Sequence, residues 1–150
     1  MKGHKAFVRD INRSQLSVQK VLREIHKMGY KAHAPEAVIS PTYEDRWDYI
    51  DDGDIHMDDG RIVQVKHIRT DFTWSWPYNE MIVDEWYKAF RYVPDVEYII
   101  VNPAMTHYIV VHGSTYEMWK HKKMLDRTYQ QEREFAMAPK SILNHYQFCS

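Results

Sequence analysis

Apolar residues recur at intervals of three and four between Ser14 and Met28, where Leu16, Val18, Val21, Leu22, Ile25 and Met28 form the stripe of an amphipathic helix. Ser14 is the expected N-cap, because its hydroxyl can accept a bond from an amide left unpaired at a helix start. Gly29 fits the left-handed position just past the helix end. Pro35 and Pro41 interrupt residues 30–45 and no period holds there, which predicts a short extended piece and then loop. Two strand-like runs follow, 54–58 (Asp-Ile-His-Met-Asp) and 61–68 (Arg-Ile-Val-Gln-Val-Lys-His-Ile). They flank Asp59-Gly60, a pair that tolerates the positive φ of a tight turn, and so predict a β-hairpin.

Residues 79–92 keep Met81, Ile82, Glu85, Trp86, Ala89 and Phe90 in a broadly helical pattern that Pro94 stops, predicting a second helix. Glu97–Asn102 and Thr106–His112 are β-branched and aromatic runs around Asn-Pro-Ala-Met, which predicts two more strands as a hairpin. Ser114-Thr-Tyr-Glu117 has the spacing of a capping box, so a third helix is expected through about Leu125. Arg133–Ala138 alternates like a short strand, and Ser141–Tyr146 suits a last helical turn. With no repeat, low-complexity tract or linker, residues 1–150 are expected to form one domain of α/β (α+β) class.

Composition supports a globular chain, with 44% apolar and 27% charged residues. No apolar run approaches the ~18–20 residues of a membrane helix, and the N-terminus lacks the features of a secretion signal. A cytoplasmic, reducing setting with no membrane partner is therefore expected. The single cysteine, Cys149, can build neither an intrachain disulfide nor a thiolate metal site. The formal net charge of −1 argues against coating nucleic acid by bulk positive charge. Its distribution is uneven: residues 1–33 hold eight Lys or Arg against Asp10 and Glu24, whereas 36–60 hold nine Asp or Glu against Arg46. Opposed fields of this kind suit carboxylates that hold a divalent cation beside cations that receive an anionic substrate; they are equally what a soluble protein with uneven charge shows.

The hairpin carries the candidate chemistry. Mg²⁺ or Mn²⁺ takes hard oxygen ligands and keeps several waters, so one or two side-chain oxygens and a main-chain carbonyl can hold it. Asp54 and Gln64 can supply such oxygens, and strand alternation points Gln64 and Lys66 to one face. Register decides whether Asp54 joins them. A three-residue loop or small bulge is expected to bring Asp54 opposite Lys66 on that face, and a strict two-residue Asp59-Gly60 turn would set it opposite Val65, facing away.

The order helix, hairpin, Asp…Gln-x-Lys, helix, two strands over residues 14 to about 112 resembles the PD-(D/E)XK nuclease superfamily. Gly53-Asp54 and Gln64-Val65-Lys66, across a short glycine-containing turn, look like the compact hairpin of its phage-type junction-resolving endonucleases. The resemblance implies a restriction-endonuclease-like αβββαββ core, a central mixed sheet flanked by helices, with a C-terminal helix and short strand added. It implies that Asp54, the Gln64 side chain and the Val65 carbonyl bind Mg²⁺ or Mn²⁺, that Lys66 positions or helps deprotonate the attacking water and offsets phosphate charge, and that DNA, including branched or single-stranded forms, is cut. Resolving enzymes of this kind act as symmetric dimers, so a homodimer is allowed, though no residue demands one.

Two departures from the family pattern reduce the charge available to a metal. Gln64 stands where Glu is usual. The family also often places a glutamate on the inner face of the first helix, about eleven residues before its terminating glycine, and here that count lands on Val18, between Ser17 and Gln19. Glu24 lies at the wrong turn, and Asp48, Asp51 and Asp52 are candidates for the missing charge. A nuclease-fold protein without catalysis that binds nucleic acid or a protein partner is the alternative.

Phe72, Trp74, Trp76 and Tyr78 alternate after the hairpin and would serve either as a stacking platform for unpaired bases or as a seal on the core. Arg13, Lys20, His67, Arg69, Thr73 and Trp76 are the candidate nucleic-acid contacts. The nine histidines show no helical pair with a third ligand, which speaks against zinc. Lys120, Lys122, Lys123 and Arg127 would grip a phosphate backbone or form a solvated helix face.

Overall fold

The computed structural model describes residues 2–35, 54–126 and 130–149, with 2–14 and 126 described by backbone alone. The chain is mixed α+β with few helices. Helix α1 (Lys2–Lys27) leads into strands β1 (Ala32–His33), β2 (Ile55–Met57), β3 (Ile62–His67) and β4 (Glu80–Glu85), then a single helical turn α2 (Trp86–Ala89). Strands β5 (Val96–Val101), β6 (His107–His112), β7 (Lys120–Asp126), β8 (Gln131–Pro139) and β9 (Asn144–Gln147) follow, with 3-10 turns at Gly113–Met118 and Lys140–Ile142.

Two sheets result. The larger has the order β1-β2-β3-β5-β6-β9 and is mixed: β3 and β5 run parallel and the other neighbours antiparallel. The smaller is antiparallel in the order β4-β8-β7. Strands covered on both faces read as nearly continuous apolar runs, as β5 and β6 do. On one face of the large sheet Val63, Val65, Ile99, Val101 and Val110 meet Val18, Val21 and Ile25 of α1. On the other, Val96, Tyr98, Ile100, Ile109 and Val111 meet Met81 and Val83 of β4 and Ala136 and Ala138 of β8. The helices expected on both faces are thus realised on one; the small sheet covers the other.

Helix α1 contains the predicted stripe but starts far earlier, so Ser14 is an interior residue and not the N-cap. Its end is as expected. Gly29 adopts φ +91°, and the Tyr30 amide reaches back to the Ile25 carbonyl at 3.3 Å. The hairpin at 54–68 and the β5–β6 hairpin also form where periodicity placed them.

Three elements differ. Residues 80–85 form strand β4, with only Trp86–Ala89 helical, because β4 pairs with β8 some fifty residues downstream. The helix expected after Ser114 is a 3-10 turn with no side-chain cap bond, followed by β7. Trp119, buried and donating to Thr115 Oγ1 at 3.1 Å, ends the turn in the core, and β7 then pairs along its length with β8. The C-terminal helical piece is limited to the turn Lys140–Ile142, and residues 144–147 instead extend the large sheet against β6. Tertiary pairing outweighs local propensity in each case. Among the described residues no helix is long and apolar enough to cross a membrane.

Candidate active site

The β2–β3 turn closes over residues 58–60. The Met57 amide donates to the Arg61 carbonyl at 2.9 Å and the Gly60 amide to the Met57 carbonyl at 3.0 Å, while Gly60 takes φ +95°. Asp59 stabilises the exit by accepting from the Arg61 amide at 3.0 Å and its Nε at 2.9 Å. The resulting register sets Ile55 against Val63, so one step outward brings Asp54 level with Gln64. The face is the one expected of a three-residue loop. The neighbour is corrected from Lys66 to Gln64, two residues nearer the turn.

Alternation then sorts the side chains. Ile55, Val63 and Val65 point to α1 and pack there. Asp54, Gln64 and Lys66 belong to the opposite face, toward the small sheet, and all three are half-buried rather than sealed. The Asp54 carboxylate is held in place by the Val65 amide, which donates to Oδ2 at 2.7 Å.

The small sheet contributes a residue that periodicity did not reveal. Asp84 of β4, only 8% exposed, meets Lys66 Nζ through Oδ1 at 3.1 Å and accepts the Glu85 amide at 2.8 Å. Burial works against the Lys66 ammonium, but the carboxylates of Asp84 and then Asp54 outweigh it and hold its pKa above the ordinary lysine value. Lys66 is therefore a cation in the folded protein. A cation at this position can offset negative charge brought beside it.

Lys88 on α2 enters the same field. Burial lowers its pKa, Asp84 opposes that, and the neighbouring charges of Lys66 and Arg91 reinforce it. The Tyr98 hydroxyl donates to the Ala89 carbonyl at 3.1 Å and ties α2 to β5. Arg133 of β8 pairs with Glu85 beside Asp84. Asp54, Asp84 and Glu85 thus share a charged neighbourhood with Lys66, Arg133 and, from α2, Lys88.

The other predicted residues are scattered. His67 points to the α1 face, where its Nδ1 lies 3.2 Å from the buried Ser17 hydroxyl. Ser17 thus lies on the inner surface of α1, as does the buried Val18. Glu24 is buried and engaged elsewhere, accepting the Cys149 amide at 3.2 and 3.1 Å. Lys20 lies over the Phe148 ring at 5.2 Å. Arg69 and Thr73 are exposed on the segment after β3. Trp76 is 5% exposed and its Nε1 donates to the Glu80 carbonyl, so it belongs to the core with Phe72, whereas Trp74 and Tyr78 are each 59% exposed. Asp48, Asp51, Asp52, Gly53 and the Arg13 side chain lie outside the described residues. Among the described residues no three His, Cys, Asp or Glu side chains gather to hold a metal ion.

Comparison with family models, with curated proteins and with solved structures gives no match to this chain.

Proposed function

We propose that this protein is a metal-dependent nuclease of PD-(D/E)XK type that hydrolyses phosphodiester bonds in DNA, branched and single-stranded forms included. The observation that carries the proposal is the hairpin register, which turns Asp54, Gln64 and Lys66 to one half-open face. The strand order lends support: an antiparallel β1-β2-β3 set beside a parallel β5 and then β6, with α1 behind, suits a restriction-endonuclease-like core.

The donor set fits a hard cation. Asp54, the Gln64 amide oxygen and the Val65 carbonyl would hold Mg²⁺ or Mn²⁺, with Asp54 the charged member. The metal would supply a more acidic bound water and charge stabilisation at the phosphate. Lys66, kept cationic, would face the negative charge that builds on the phosphoryl oxygens. The exposed Arg69, Thr73 and Trp74 flank the hairpin exit and would receive the sugar-phosphate strand and an unpaired base.

Incubation with labelled linear, branched and single-stranded DNA tests the proposal. Cleavage is expected with Mg²⁺ or Mn²⁺ and its loss with a chelator. Intact DNA under all metal conditions, or cleavage indifferent to chelation, overturns it.

A nuclease-fold protein without catalysis, which binds nucleic acid or a protein partner, is favoured by one observation: among the described residues no three His, Cys, Asp or Glu side chains gather to hold a metal ion. Gln64→Glu separates the two. In a working nuclease the added charge lowers the Mg²⁺ concentration for half-maximal cleavage several-fold. In an inactive one it creates cleavage where the wild-type protein has none.

A further inference from the structure

Strand β4 breaks its own alternation. Met81 and Val83 are buried and Ile82 is exposed, so a regular strand would return residue 84 to solvent. Pairing with β8 instead shifts: Ile82 lies opposite Met137 and Asp84 opposite Ala136, which leaves Val83 as the extra residue of a bulge. Asp84 consequently turns inward next to Val83, and its Oδ1 meets Lys66 Nζ across the two sheets. A bulge disrupts a ladder and re-aims a side chain. Here the re-aimed side chain is a carboxylate, and its target is an ammonium on the candidate catalytic strand.

Stability alone does not account for this arrangement. Burying a charged pair is often no better than burying apolar groups of the same volume, because both ions are desolvated. Asp84 is also held from its own strand. The Glu85 amide donates to Oδ1 at 2.8 Å, and Glu85 itself is anchored to Arg133 of β8. The carboxylate is fixed on a rigid element, and a long, flexible lysine is the group that it steadies.

We propose that Asp84 is a positioning residue for Lys66, holding the ammonium at the point where the hairpin presents Asp54 and Gln64. The inference rests on the nuclease assignment of the same site. It makes the small sheet part of that site rather than an appendage.

Single-turnover cleavage of labelled branched and single-stranded DNA is compared for the wild-type protein, Asp84→Asn, Asp84→Glu, Lys66→Met and the Lys66→Met/Asp84→Asn pair. Asp84→Asn is expected to slow cleavage roughly 10- to 100-fold, the scale of a small misplacement of a reacting group. The Mg²⁺ and DNA concentrations for half-maximal rate stay within about twofold, since neither is bound through Asp84. Asp84→Glu recovers part of the rate. Once Lys66 is methionine, Asp84→Asn has no further effect, because the residue it served is gone.

Asp84→Asn cleaving at the wild-type rate, additive losses in the double variant, or a raised Mg²⁺ requirement overturns the inference. Thermal unfolding checks that each variant folds, and should Asp84→Asn not fold, wild-type rates in a folded Asp84→Ser, which also lacks the carboxylate, overturn it equally. Absence of metal-dependent cleavage by the wild-type protein removes the nuclease assignment and this inference together. Wild-type cleavage that ignores Asp84 removes the inference alone.

Discussion

Asp54→Ala and Lys66→Ala are each expected to reduce the proposed metal-dependent DNA cleavage about 1,000-fold or more, a loss of roughly 4 kcal/mol in transition-state stabilisation. Asp54 is the charged member of the proposed donor set, and without it a neutral amide and a carbonyl remain for a divalent ion. Asp84 and Asp54 favour the charged form of Lys66, and in the proposed reaction its removal would leave the charge that builds on the phosphate unopposed. Both changes also touch the fold. Asp54→Ala strips the Val65 amide of its acceptor, which costs about 1–3 kcal/mol where no water replaces it. Asp54→Asn keeps that bond and should cleave as poorly as alanine while unfolding nearer the wild-type temperature. Lys66→Ala leaves Asp84 without its ion-pair partner, at a cost below the ~3–5 kcal/mol of a fully buried pair because the Lys66 side chain is 33% exposed. Cleavage assays paired with thermal melts separate chemistry from scaffold. Robust cleavage by folded Asp54→Asn and Lys66→Ala would remove the proposed site.

Gly113→Ala lowers stability by about 3 kcal/mol or more, as forced overpacking against backbone does. A Cβ there would lie 2.4 Å from the Val96 carbonyl oxygen, 2.7 Å from Val96 Cγ1 and 3.0 Å from the Pro94 carbonyl oxygen. These contacts cannot yield cheaply. Val96 begins β5, is paired with Ile62 of β3 and is fully buried, so moving its carbonyl disturbs the parallel pairing that sets β3 in the sheet. The requirement for glycine is steric closeness, not a left-handed backbone. At ~2–4 °C per kcal/mol for a chain of this size, the midpoint should fall by roughly 10 °C in a thermal melt. An unchanged midpoint would show that β6 leaves the sheet farther from β5 than described.

The hairpin site was legible because its parts are local. Asp54, Gln64 and Lys66 are joined by a turn whose glycine announces the required φ, alternation assigns Gln64 and Lys66 to one face, and the closure of the turn decides whether Asp54 joins them. The register was legible only to within one pair, since a turn of given composition can close in more than one way. Asp84 and Lys88 gave no such signal. Asp84 lies in a segment whose apolar pairs imitate a helical period, and the bulge that turns it inward erases the alternation that would have marked a strand. Trp76 illustrates the same limit for burial: four alternating aromatics look alike in sequence, yet Phe72 and Trp76 entered the core and Trp74 and Tyr78 did not.

Local periodicity by itself determined the α1 stripe, the two hairpins around Gly60 and residues 102–106, and the common face of Gln64 and Lys66, because each depends on contacts between near neighbours in the chain; whether Asp54 joins that face was decided by how the turn closes. Tertiary structure alone decided that residues 80–85 are a strand, that a second sheet covers the face opposite α1, and that a carboxylate from it reaches Lys66. Those outcomes depend on β8, which follows β7 closely in sequence but reaches β4 from some fifty residues away, a pairing that no local window contains.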